Sequence, residues 1–460
     1  MIQYIEFENH RILGNLKLDF AKNENEAYNT IVFAGENGSG KTAILNAVAG
    51  FQRGSYLSDF SSEKEVTYFD LDGIKHSILR SDEKKRYSKT EEIPDDKWVA
   101  PYPFSEHDFY REKNELLEEM PYDIRNRSVV FSEARSGFEV NLPKNEYWED
   151  YEKNGSDYSC IVQLLMDLED KDNEEYLAYA KVNRNCTYEE YMTANSRTAR
   201  FKRAFEKMFE GLKYVGRDLN AKDMIIYFSK DGKQIDINDL STGEKQIVFR
   251  GTDLLHHARA GATVFIDEPE LSLHPKWQKK ILEFYRNLFV DENGRQFAQL
   301  LVATHSQYVI QSAIKDSENV KIILLKSEKQ EIIQTKMDEI LLGPYSVAEV
   351  NYLTFGVEGK EYHIQLFGAL HNLLQETDGS GVDGSILSID RYISHHELYN
   401  YALHEMDDIT HNHYHTICVY VRNAIDHPDS GRRISDSDLK ISIDLLRRIY
   451  KSVIERQRQL

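Results

Sequence analysis

Cysteine is scarce in this chain: three residues in 460, Cys160, Cys186 and Cys418. They stand far apart and none belongs to a Cys-x-x-Cys pair, which excludes a thiol zinc site and a redox dithiol and fits a reducing cytosol. Long apolar runs are missing as well. No stretch of about 18 uncharged apolar residues occurs, so neither a membrane span nor a transporter with its own pore is expected. The first residues, MIQYIEFENH, have neither a basic leader nor an apolar core, so no secretory signal is expected and the reading is a cytoplasmic protein. Positive charge is in deficit, with 57 Lys and Arg against 77 Asp and Glu, a net −20. A surface of that sign repels nucleic acid, so any DNA or RNA contact falls to a local basic patch or to a partner. Internal repeats, low-complexity tracts and sustained heptads are also missing, the last excluding a long coiled coil.

What is present is an ordinary globular composition, 41% hydrophobic and 29% charged, on a length that suits two or three domains or one large domain with an inserted arm. The first twenty residues alternate around the turn NHRILGN and predict antiparallel strands. Residues 55–125 read as charged turns with a helix at REKNELLEEM, SVVFSEAR as a buried strand, and about 150–215 as a helical arm. DMIIYFSKDGKQIDINDL predicts a hairpin around KDGK. From Ser241 a helix, the strand ATVFIDEPE, the helix PKWQKKILEFYRNLF and the strand FAQLLVATHS alternate, which predicts a parallel sheet covered on both faces. Beyond about residue 345 the chain reads as helical and rich in histidine.

The chemistry starts at GENGSGKT, Gly35 to Thr42, which fits GxxxxGK[ST] in a strand, loop and helix context. Gly35, Asn37, Gly38, Ser39 and Gly40 let backbone N–H groups curl around phosphates, Lys41 reaches the β and γ phosphates, and Thr42 offers a hydroxyl to Mg²⁺. TVFIDEPE ends a strand on Asp267, suited to hold Mg²⁺, followed by Glu268, suited to polarise the attacking water. His305 closes the strand LLVATHS, where an imidazole can meet a γ-phosphate. In DLSTGEKQ, Ser241 with Glu244 three residues later is also a capping box.

In this order, GENGSGKT, LSTGEKQ, FIDEPELSLHP and ATHS resemble the Walker A, signature, Walker B with D-loop, and switch histidine of ABC-type ATPases, in the style of the Rad50, SMC and RecF heads and of anti-phage ATPases. The resemblance covers roughly residues 1–340. It implies an α/β head with a mostly parallel sheet flanked by helices, an antiparallel N-terminal part, a short inserted helical arm and a helical C-terminal region. It also implies ATP and Mg²⁺ as cofactors, Glu268 and His305 as catalytic groups, and a trans contact in which Ser241, Gly243 and Glu244 of one chain face the nucleotide of another. A homodimer or larger homo-oligomer closed around ATP follows from the resemblance. Gln163 is one candidate for the family's glutamine loop. On this reading residues 1–55 and 225–340 form the head, 56–224 an insertion with further head strands and the arm, and 345–460 a docking or effector-like region.

Seven histidines crowd residues 395–427, and HNHYH could place His411 and His415 on one helix face at metal-ligand spacing, against the plainer reading of a polar helical face. VYVRNAIDHPDSGRR fits R-N-x-x-x-H through Arg422, Asn423 and His427, which resembles the RNase motif of HEPN domains. The same tail is similar to that of the PtuA group of Septu anti-phage ATPases, whose partner is an HNH-type nuclease, and this resemblance makes the tail a docking element. A third reading has Arg422 paired with Asp426 one turn on, while His427 and Pro428 end the helix. The expected function is therefore an ATP-driven regulator of a defence complex that holds an HNH-type nuclease and reaches nucleic acid through it. The alternatives are an ATPase fused to a HEPN-type RNase, and a RecF-like repair ATPase, the latter disfavoured by the −20 charge.

Overall fold

The computed structural model describes residues 1–53, 63–70, 73–81, 97–101, 128–132, 159–217, 226–259, 261–291, 293–328, 331–334, 339–342, 346–377, 379–408 and 413–459. The chain divides into two units, Met1–Gln334 and Thr335–Leu460. The helix expected at REKNELLEEM, and His411, lie outside the described residues.

A six-stranded sheet organises the first unit. Across it run Glu331–Gln334, Val320–Glu328, Thr30–Gly35, Gln299–Thr304, Thr263–Asp267 and Val129–Ser132, all neighbours parallel except the antiparallel edge made by Glu331–Gln334. Every residue of Thr30–Gly35, Thr263–Asp267 and Gln299–Thr304 is buried, as a sheet covered on both faces requires. Strand geometry splits these apolar runs by parity. Val32, Val264, Ile266, Leu300 and Val302 pack with the helices Ser159–Val182, Arg197–Met208, Thr242–His257 and Pro275–Leu288. Ile31, Phe33, Phe265, Leu301 and Ala303 point the other way, into a core shared with the helix Lys41–Arg53 and the N-terminal strands. Those strands form a second sheet in which Lys17–Asp19, Ile2–Phe7, Glu63–Phe69 and Lys75–Ser81 pair antiparallel, and Lys97–Pro101 adds in parallel.

The α/β class with a mostly parallel sheet is what the sequence predicts, and one boundary moves. The helical arm does not run to residue 215: its last helix is Arg197–Met208, Gly211 turns the chain at φ +80°, and Leu212–Arg217 pairs antiparallel with Ile226–Lys230. Residues that continue the helical spacing here alternate into a three-stranded sheet because Leu212, Tyr214 and Phe228 bury on one face. Its last two strands, Ile226–Lys230 and Lys233–Asp236, are the predicted hairpin, with Asp231 and Gly232 both at positive φ as such a two-residue turn demands.

The second unit is mainly helical, with Val347–Phe355, Lys360–Gln375, Ile386–His395, Ile417–Asp426 and Asp436–Gln459 around a core that includes Tyr362, Leu366, Leu370, Ile389, Ile443 and Ile449. Its deepest charge is Glu349, fully buried, which accepts the N–H groups of Leu341 (2.8 Å) and Leu342 (2.7 Å), the Tyr362 hydroxyl (3.1 Å) and the Arg447 guanidinium (3.0 Å). His363 is equally buried, bonded to Ser442 at 2.8 Å, and burial pulls its pKa down to about 3, so it stays neutral. The helical placement of His415 is corrected: Tyr414–Thr416 is a short strand, because the Asp390 carboxylate takes the N–H groups of His415 and Thr416 and holds them extended. Among the described residues no group of three His, Cys, Asp or Glu side chains is placed to hold a metal ion, and no helix is long and apolar enough to cross a membrane.

Candidate functional site

The strand Thr30–Gly35 lies in the middle of the six-stranded sheet and delivers the glycine loop to its C-terminal end, where the helix Lys41–Arg53 begins. Gly38 and Gly40 sit at φ +83° and +84°, a conformation that L side chains resist, and a Cβ on Gly40 would collide with Ile332. Gly35 is pinned differently, since a Cβ there would meet the Leu325 carbonyl oxygen at 2.7 Å. Asn37 and Gly38 form the exposed crest and Ser39 is buried beneath it. The first turn of the following helix carries no acid, which leaves the positive end of its dipole uncompensated for an anion. Lys41 folds back over this turn and donates to the carbonyls of Gly35 and Glu36, both at 2.8 Å. Burial lowers its pKa, and the nearby carboxylates of Glu268, Asp267 and Glu270 act against that shift.

At the end of the loop, Thr42 donates its hydroxyl to Asp267 Oδ2 at 2.9 Å, a contact that joins residues 225 apart in sequence. Asp267 Oδ1 is buried and has no hydrogen-bond partner. Burial raises the Asp267 pKa, the Thr42 bond opposes it and the neighbouring Glu268 adds to it. A buried carboxylate oxygen left open beside a threonine hydroxyl is a donor set that fits a hard divalent cation such as Mg²⁺.

Glu268 takes φ +44°, rare for a residue with a side chain and a strain of about 1–3 kcal/mol. Its carboxylate meets His305 Nδ1 at 3.2 Å. The two strand ends thus place acid and imidazole together beside the glycine loop's lysine and threonine.

Three residues that the sequence motifs left unassigned hold this arrangement. Glu270, 3% exposed, accepts through one oxygen the Thr304 hydroxyl (2.7 Å) and the N–H groups of His305 and Ser306 (both 3.0 Å). Gln278 accepts the Ser306 hydroxyl at 2.7 Å. Arg250, on the helix Thr242–His257, donates to the backbone carbonyls of Asp267 (2.9 Å) and Glu268 (3.2 Å). None of the three is marked by a spacing in the sequence.

Ser241 is exposed and caps that same helix: its hydroxyl accepts the Glu244 N–H at 3.3 Å, and Glu244 returns a bond to the Ser241 N–H at 2.7 Å. Burial pushes the Glu244 pKa up, but the Ser241 bonds and Lys230 at 3.1 Å outweigh it and hold the carboxyl below its usual range. Glu244 is therefore engaged within its own chain, and Gly243 packs so closely that a Cβ would stand 3.1 Å from the Trp277 ring. Gln163 lies on the helix Ser159–Val182 and bonds Asp167 at 2.6 Å. In the second unit Arg422 pairs with Asp426 at 2.7 Å and with Asn423 Oδ1 at 2.9 Å, Asn423 is buried, and His427 is the exposed cap that ends the helix Ile417–Asp426.

Residues 31–311, more than half the chain, match the family described as "AAA domain, putative AbiEii toxin, Type IV TA system". The chain belongs to that family. Two relatives extend the likeness of this AAA-domain protein. The Septu protein PtuA of Bacillus mycoides (strain KBAB4) is 23% identical over 348 residues, 73% of this chain and 42% of that protein. The Retron Vc95 probable ATPase of Vibrio cholerae serotype O1 biovar El Tor is 34% identical over 105 residues, 20% of this chain and 19% of that one. The chain thus spans about two fifths of the length of the first relative and about one fifth of the second. Among solved structures, the SmcHead bound to the C-winged helix domain of ScpA aligns at 14% identity and a TM-score of 0.39, over 73% of this chain and 98% of that one.

Proposed function

We propose that this chain is an ATP-binding and ATP-hydrolysing regulator in an anti-phage defence complex, which dimerises around ATP and controls a partner HNH-type nuclease. The observation that carries the ATPase reading is the Thr42–Asp267 contact with its open carboxylate oxygen, next to the Glu268–His305 pair. The defence reading is supported by the relatives, one named as a Septu protein and one as a retron ATPase.

In this reading the glycine loop binds the phosphates through its N–H groups, and Lys41 exchanges its two carbonyl partners for phosphate oxygens. Thr42 and Asp267 hold Mg²⁺, which neutralises charge on the phosphates when bound. Glu268 orients the attacking water and takes up its proton, while His305, kept in place through the Glu270 contacts to the backbone around it, faces the transferred phosphoryl group. Ser241, exposed at the head of a capped helix, presents a hydroxyl and a helix start to the nucleotide of a second chain.

Glu268→Gln keeps the size of the side chain and removes the base, so ATP and Mg²⁺ are expected to convert this variant to a stable dimer in sedimentation velocity, with Lys41→Ala remaining monomeric under the same conditions. Unchanged sedimentation of Glu268→Gln with ATP counts against dimerisation around nucleotide, and high-affinity ATP binding by Lys41→Ala places the site elsewhere. Incubating the pure chain with plasmid DNA and total RNA checks the division of labour: no cleavage of either is expected without the partner nuclease.

A further inference from the structure

Beside the last helix of the second unit lies a cavity of about 330 Å³, near the lower end of the roughly 300–1,000 Å³ range of small-ligand sites. Its lining combines aliphatic side chains, Leu403, Ile441 and Leu445, with the basic and polar groups of His404, Arg448 and Lys451. Among the described residues neither Arg448 nor Lys451 has an ion-pair partner, although this chain carries a net −20. The acid in the lining, Asp444, stands four residues before Arg448 on the helix Asp436–Gln459, accepts the Tyr352 hydroxyl at 3.1 Å and makes no ion pair with either cation among the described residues, so the basic groups outnumber it. Arg447, also in the wall, is already committed to Glu349 and to the Glu339 carbonyl at 2.7 Å.

His404 completes the donor set. It is 3% exposed, and its Nδ1 accepts the Asn400 N–H at 2.8 Å, so the proton of the neutral ring sits on Nε2 and that atom donates. A concavity whose lining offers two cations without an ion-pair partner, an imidazole donor and aliphatic carbon matches an anion carried on an apolar or sugar body.

We propose that this cavity is a phosphate-monoester site, which takes the terminal phosphate of a nucleotide or of a nucleic-acid strand against Arg448, Lys451 and His404, with the attached sugar against Leu403 and Leu445. Its lining shares no residue with the glycine loop or with Arg422, Asn423 and His427.

The test is calorimetric titration of the full chain carrying Lys41→Ala, so that the head does not compete. The probes are AMP, a short 5′-phosphorylated oligonucleotide and the same oligonucleotide with a 5′-hydroxyl. At least one phosphorylated probe is expected to bind, with the 5′-hydroxyl strand and the added Arg448→Ala/Lys451→Ala pair each lowering affinity at least about tenfold. Binding of AMP identifies a free nucleotide as the occupant, and binding of the phosphorylated strand alone identifies a strand end. Absence of binding by both phosphorylated probes at millimolar concentration, equal affinity for the 5′-hydroxyl strand, or indifference to the two substitutions overturns the proposal. Arg448 is exposed and Lys451 half-buried, so an unchanged thermal melt of the double variant separates lost binding from lost fold.

Discussion

Two buried carboxylates, one in each unit, differ in how far the fold satisfies them. Glu349 in the helical unit is surrounded by four donors, Leu341 N–H, Leu342 N–H, the Tyr362 hydroxyl and Arg447, and its lone pairs are occupied from several directions. Asp267 in the first unit is almost as deeply buried, yet its side chain receives one hydroxyl and keeps Oδ1 open. Burying a carboxylate is expensive in either place. The fold compensates for the first from several directions, which fixes helices, and only in part for the second, whose Oδ1 stays open.

Breaking the saturated network has the largest effect. Arg447→Ala leaves Glu349 charged and unpaired in the core, a loss of about 3–5 kcal/mol that denaturant unfolding of the full chain resolves as early melting of the C-terminal unit. A change below about 1 kcal/mol would show that Glu349 does not depend on Arg447.

The open carboxylate is expected to respond in the opposite direction. Because burial raises the Asp267 pKa, its ionised form costs stability at neutral pH, and that cost is relieved as pH falls from the raised value toward the ordinary one near about 4. Asp267→Asn removes the charge and keeps an acceptor for Thr42, so it is expected to stabilise the first unit by about 1 kcal/mol while abolishing Mg²⁺-dependent ATP turnover. Thermal melts across pH 4–8 check the sign: the gain over the unsubstituted chain shrinks toward acid.

The smallest effect belongs to Arg422. Its pair with Asp426 is part-exposed and spaced one helical turn, so Arg422→Ala is expected to change stability by about 0.3–0.5 kcal/mol in the same unfolding assay and to leave ATP binding unaltered. RNA cleavage by the pure chain that disappears in this variant would transfer chemistry to the tail and overturn its role as packing.

How much of this was legible in the sequence depends on how local each signal is. Gly35 to Thr42 and the apolar run before Asp267 are contiguous, and their strand and loop character follows from neighbours alone, as does the parallel sheet from continuous apolar runs. Ser241 and Glu244 announce a capping box by their three-residue spacing. Glu270, Gln278 and Arg250 were missed because each acts on backbone groups or side chains brought close by the sheet, a relation that no spacing records. The chain after Met208 misled because KYV continues an apolar period that suits a helix, and only Gly211 with the pairing of a distant strand decides for a sheet. His415 likewise follows Asp390, which lies 25 residues earlier and acts through the main chain.

Arg250 carries a mechanical implication. It grips the two carbonyls at the end of the Asp267 strand and rides on the helix whose first turn is capped by exposed Ser241. Nine residues of helix at about 1.5 Å each make a stiff rod of roughly 13 Å between them. The surface serine and the strained, half-buried peptide of Glu268 are thus tied to one rigid element, so that any displacement of the outer end would reach the inner one without a segment having to unfold.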